Sequence, residues 1–105
     1  MTEKRKPTYD LQAIKSAFDR PEKLAITSTA LRDAQALGFT ASDIVKTVQG
    51  LERKDFYKSM TSYADHRNWQ DVYHARSDAG RLYVKFTADA VTEFYLLSFK
   101  ELGNG

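Results

Sequence analysis

Apolar residues in the first half of this chain recur every three or four positions, the spacing of helices that bury one side. Leu11, Ile14 and Phe18 define the first helix, with Thr8 as its expected N-cap, Asp10 near the positive end of its dipole and Pro21 as its stop. Leu24 and Ile26 then alternate with small or polar neighbours, the pattern of a short strand. Ser28 is placed to cap a second helix that buries Ala30, Leu31, Ala34 and Leu37, and Gly38 stands where a left-handed residue closes such a helix. The third helix starts most sharply, because Thr40 and Asp43 have the spacing of a capping box and Phe39 can staple onto Ile44. Ile44, Val48 and Leu51 form its inner face, and Gly50 closes its last turn.

From Asp55 the period falls to two. Four β-rich segments follow, Phe56 to Thr61, Trp69 to Arg76, Arg81 to Thr87 and Val91 to Lys100. Ser77 to Gly80 reads as a hairpin turn in which Gly80 supplies positive φ, and another turn is expected near Asp89 and Ala90. Helices first and strands second predict an α+β fold, N-terminal helices packed on a largely antiparallel sheet. The expected organisation is a single domain over 1–105, with a flexible polar start at 1–7, a helical half at 8–51 and a sheet at 55–101.

Composition narrows the function classes. The absence of cysteine removes disulfides, thiolate zinc sites and cysteine nucleophiles, and makes the reducing cytoplasm the expected compartment. No apolar run approaches the ~20 residues that span a bilayer, so no membrane association is expected. The net charge of +2 is too small to announce a nucleic-acid binder, so such a reading must rest on where the cations lie.

The segment from Arg81 supplies that placement. Leu82, Val84 and Phe86 alternate with Arg81, Tyr83, Lys85 and Thr87, giving one core face and one polar, basic face. A tyrosine between two cations suits RNA, since the ring can stack on a base while the cations hold phosphates; a merely solvated face has the same pattern. In the last segment Tyr95, Leu97 and Phe99 alternate with Ser98 and Lys100, and in the first Lys58 and Met60 alternate with Tyr57 and Ser59. Trp69 and Tyr73 oppose Gln70 and His74, which leaves Gln70 outward, and Arg76 near the strand end is free to reach a phosphate. Lys4, Arg5 and Lys6 offer a nonspecific phosphate contact or a plain solvated terminus. His66 and His74 lack metal-type spacing, no glycine-rich phosphate loop or nucleophile elbow is present, and no metal or other cofactor is expected.

The run Asp55-Phe56-Tyr57-Lys58-Ser59-Met60-Thr61, then Trp69-Gln70-Asp71-Val72-Tyr73 and Ser98-Phe99-Lys100, resembles the MqsR toxins of type II toxin–antitoxin systems. The likeness covers nearly half the chain closely; the helical half agrees in layout and in its Lys-Arg-rich start. It implies a fold similar to the RelE and YoeB ribonucleases and an mRNA interferase that needs neither metal nor ribosome and prefers GCU-like sequences. It places the family's functional lysine, glutamine, tyrosine and C-terminal lysine on Lys58, Gln70, Tyr83 and Lys100. Met60, Arg76, Arg81 and Lys85 are then the expected RNA-binding neighbours. The implied partners are messenger RNA and a cognate MqsA-like antitoxin with a zinc-binding and a helix-turn-helix domain. Lys58 and Lys100 suit phosphate charge, Gln70 suits orientation, and Tyr83 suits proton transfer if Lys85 or Arg81 lowers its pKa. A noncatalytic RNA-binding regulator using the same face, or a protein-binding module, is the alternative.

Overall fold

The computed structural model describes residues 2–88 and 94–103. Three helices, α1 (Leu11–Ala17), α2 (Ser28–Ala36) and α3 (Ala41–Gln49), pack on an antiparallel sheet of β1 (Glu3–Lys4), β2 (Phe56–Thr61), β3 (Trp69–Ser77), β4 (Gly80–Ala88) and β5 (Phe94–Glu101). The strands lie in chain order, so every connection after α3 joins neighbours. This is the α+β architecture that the switch in hydrophobic period predicts. The turn expected near Asp89 and Ala90, and the first part of the fourth β-rich segment, lie outside the described residues.

The helices cover one face of the sheet. Ile14 and Phe18 of the first helical segment, Ala30 and Ala34 of α2, and Ile44 and Val48 of α3 join Tyr73, Leu82, Val84, Phe86, Leu96 and Phe99 in one buried cluster. Phe18 stacks on Phe86 at 5.9 Å between centroids, and Phe39 meets Phe99 edge-on at 5.2 Å. Such ring pairs add roughly 0.5–1.5 kcal/mol beyond the area they bury.

Caps follow side-chain chemistry with two displacements from the sequence reading. The N-cap of α1 is Asp10, whose carboxylate accepts from the Ala13 N–H, because Thr8 is committed elsewhere. The Thr8 N–H donates to Asp71, and its hydroxyl lies 2.7 Å from that of Ser59. Thr27 rather than Ser28 caps α2, since its own N–H donates to the Leu96 carbonyl and holds it extended. The strand expected around Leu24 and Ile26 shrinks to one parallel bridge, Ile26 with Leu96, after a 3-10 turn at Pro21–Lys23. The Thr40–Asp43 capping box is present, Gly38 has φ of +86° and Gly80 has φ of +101°. Thr40→Ala removes the cap acceptor and is expected to cost about 1 kcal/mol, read as a lower midpoint in urea unfolding with an unchanged slope.

Two features escaped strict alternation. From Thr2 on, the polar start is paired: Glu3 pairs with Met60 and Lys4 with Ser59, and the Thr61 N–H donates to the Thr2 carbonyl. The segment is pinned further along by Asp71, fully buried, whose carboxylate accepts the N–H groups of Thr8 and Tyr9. The second feature is a pair of register shifts, one between Phe56 and Lys58 in β2 and one in β5 opposite Lys85 and Phe86. Each bulge adds one residue, so the alternation changes phase across it.

Candidate nucleic-acid interface

Residues opposite one another in a ladder share a face, so the register assigns the surface that the helices leave open. One row runs Met60, Gln70 and Thr87; the next runs Lys58, Val72, Lys85 and Ser98; the third runs His74, Tyr83 and Lys100; the last pairs Arg76 with Arg81. The four residues of the expected catalytic set, Lys58, Gln70, Tyr83 and Lys100, therefore lie on one face. Val72 is fully buried yet lies outside the helix-covered cluster, so water is kept from it by the outer face, where Lys58 and Lys85 stand on either side.

The bulge in β2 changes the face most. It brings Tyr57 onto the same side as His74, and the rings stack with centroids 4.3 Å apart and planes 22° off parallel. His74 in turn lies 6.4 Å from Tyr83, and Lys100 Nζ sits 5.2 Å from the Tyr83 ring centroid. Arg5 and Lys58 each place their charge 5.4 Å from the Tyr57 ring. Three rings in file, edged by Arg5, Lys58, Lys100 and Arg81, form a platform on which an unstacked base can lie while its phosphates meet cations. The corresponding shift in β5 leaves Leu96 and Phe99 in the core and Ser98 and Lys100 outside, and it turns Tyr95 away from the Leu97–Phe99 side where alternation placed it.

Electrostatics sort the groups by proton. The Glu3 carboxylate, 2.6 Å from Lys58 Nζ, raises the lysine's pKa, and that hydrogen bond lowers the pKa of Glu3. Burial pushes the Tyr83 hydroxyl up; the opposing cation is Lys58, and it does not win. The expectation that Lys85 or Arg81 would make Tyr83 a ready base is therefore overturned. Tyr83 keeps its proton at neutral pH. Burial and then Lys100 push Lys85 down, while burial and then Arg81 push His74 down, favouring its neutral ring.

Arg76 is not free: it bonds Glu52 at 3.2 Å and lies 3.6 Å from Asp55, because the 3-10 turn Arg53–Asp55 brings both carboxylates to the sheet's end. Arg81 is exposed, with its guanidinium 3.5 Å from His74 Nδ1. A groove of about 400 Å³ beside the platform is lined by Lys54, Tyr57, His74, Arg76 and Arg81 together with Phe56 and the carboxylate of Asp55. His66 is exposed in the loop before β3, outside the paired residues of the ladder. Among the described residues no group of three or more His, Asp or Glu is arranged to hold a metal. Nor is any helix long and apolar enough to cross a membrane. Sequence reasoning missed Tyr57, which strict alternation sends to the other face, and Glu3, which composition assigns to a solvated end.

A fold of three helices on an antiparallel sheet, with its bare face given over to lysines and tyrosines, is the setting of a nucleic-acid-directed protein. Residues 6–101 match the family described as "Motility quorum-sensing regulator, toxin of MqsA", and the chain belongs to this family. It is 38% identical over 99 residues to the mRNA interferase toxin MqsR of Escherichia coli (strain K12), covering 94% of this chain and 98% of that protein.

Proposed function

We propose that this chain is the toxin of a type II toxin–antitoxin pair, a ribosome-independent endoribonuclease that cuts messenger RNA and arrests growth. The observation that carries the reading is the gathering of Lys58, Tyr83 and Lys100 beside the stacked rings of Tyr57 and His74 on one open sheet face. The family match and the relative named an mRNA interferase support it. RNA contains its own nucleophile, the 2′-OH, so the protein must align it with the phosphate and neutralise developing charge. Lys58 and Lys100 supply that charge without a metal. Tyr83, which keeps its proton, donates it to the departing 5′-oxygen. Gln70, one row from Lys58, orients the scissile phosphate or a base, while Met60, Lys85 and Arg81 line the path of the strand. Arg76 contributes through the groove once RNA phosphate competes with Glu52.

Purified protein should cleave RNA in EDTA, with GCU-like sites cut first, and leave a 2′,3′-cyclic phosphate and a 5′-OH. A single 2′-deoxy substitution at the cut site should abolish cleavage there. Loss of cutting in EDTA, restored by magnesium, overturns the metal-free mechanism; RNA binding without any cleavage makes the protein a noncatalytic regulator instead. The partner is an MqsA-like antitoxin with zinc-binding and helix-turn-helix domains, held in the cytoplasm with the toxin, and a RelE-like ancestry is compatible with the architecture.

A further inference from the structure

Cleavage by an internal 2′-OH needs a proton acceptor as well as a donor, and the groups of the face are mostly donors. Lys58 and Tyr83 have pKa values raised above their ordinary ranges. His74 has its Nδ1 3.5 Å from a guanidinium nitrogen of Arg81, a group that only donates; in the tautomer that accepts this contact, its other nitrogen carries the hydrogen. The nearby carboxylates are turned elsewhere: Asp71 is buried on the core side and bonded to the Thr8 and Tyr9 N–H groups, Glu52 and Asp55 hold Arg76, and Glu101, near His74 at the sheet's end, is the register partner of core-facing Leu82.

Glu3 differs from all of these. Its register partner is Met60, which places it on the outer face beside Lys58, and its side chain is 48% exposed, open to a bound strand. We propose, resting on the ribonuclease reading, that Glu3 is the general base of this chain and takes the proton from the attacking 2′-OH. Lys58 has three N–H bonds and uses one on Glu3 at 2.6 Å, so the others remain for a phosphate oxygen. A charge-assisted contact of about 2.8 Å to that oxygen puts the carboxylate within roughly 5 Å of the phosphate, where the 2′-OH of the preceding ribose lies. The 2′-oxygen gives its proton to the Glu3 carboxylate and forms a bond to phosphorus. The bond from phosphorus to the 5′-oxygen breaks, and that oxygen takes the Tyr83 proton. Solvent then returns one proton to Tyr83 and removes one from Glu3, with no change of oxidation state.

The groups facing Glu3 among the described residues are Lys58 from β2 and Arg5 beyond β1, both cationic and both holding the carboxyl below its ordinary 4.5. The rival base is Lys85, whose pKa is lowered from 10.5. Glu3→Gln keeps an oxygen for Lys58 but cannot take a proton. Its single-turnover cleavage of saturating RNA is expected to fall by about 10²–10⁴. Affinity for an RNA with one 2′-deoxy residue at the cut site should stay equal or tighten. Because the Glu3 carboxyl is held below its ordinary 4.5, the acid limb of the wild-type rate should fall below that pH. Wild-type or faster cleavage by Glu3→Gln overturns the proposal and leaves Glu3 a competitor of RNA for Lys58. An acid limb in the lysine range overturns it in favour of Lys85. If the wild-type protein cuts no RNA at all, the ribonuclease reading itself fails and takes this one with it.

Discussion

Tyr83→Phe should cleave RNA about 10²–10⁴ times more slowly than wild type in single turnover, because it removes the hydroxyl proposed to protonate the leaving oxygen. The ring stays, and with it the charge of Lys100 at 5.2 Å and the neighbouring His74, so RNA affinity should change little. A substrate whose 5′-oxygen is replaced by sulfur leaves without needing a proton and should restore much of the lost rate. A variant that cuts ordinary RNA at the wild-type rate would remove Tyr83 from the chemistry. A variant that fails on the sulfur substrate as well would assign it to binding or alignment.

The largest effect on stability is expected at Asp71. Its carboxylate is fully buried and accepts N–H groups from Thr8, through both oxygens, and Tyr9. Asp71→Ala leaves those donors without partners in a water-poor site, at about 1–3 kcal/mol for each buried group. A loss of roughly 2–4 kcal/mol is a large share of the 5–15 kcal/mol that holds a domain of this size. Thermal unfolding should drop by about 10 °C or more. Asp71→Asn keeps one acceptor oxygen and should fall between. Melting unchanged in Asp71→Ala would mean that Thr8 and Tyr9 turn to water at no cost and that the N-terminal segment is held by its strand pairing.

Much of the fold was legible because local chemistry and tertiary packing agree. Thr40 and Asp43 cap α3 as their spacing requires, Gly80 turns the β3–β4 hairpin with positive φ, and Leu82, Val84 and Phe86 point inward. The site was legible where alternation is unbroken: Tyr83 and Lys85 in β4, and Gln70 in β3, lie outward as read. It failed at the bulges, since one extra residue in β2 reverses Tyr57 and one in β5 reverses Tyr95, and nothing in their composition marks the insertion. It failed again at Glu3, because the attraction that orders the polar start is to Lys58, Ser59 and Met60, 55 residues or so away. Arg76 reads as a free cation until the turn at Arg53–Asp55 folds against it.

The place of β1 at the sheet's edge sets an order of events during synthesis. Glu3 and Lys4 are translated long before Ser59 and Met60, the residues they pair with, and Tyr83 precedes Lys100, which stands beside it. The first strand must wait unpaired until β2 has emerged and been zipped by β3, a non-local closure of the slow kind. Lys100 arrives only with the last strand. A nascent chain therefore carries the pieces of the face without the face until Lys100 has been added and β5 has paired with β4.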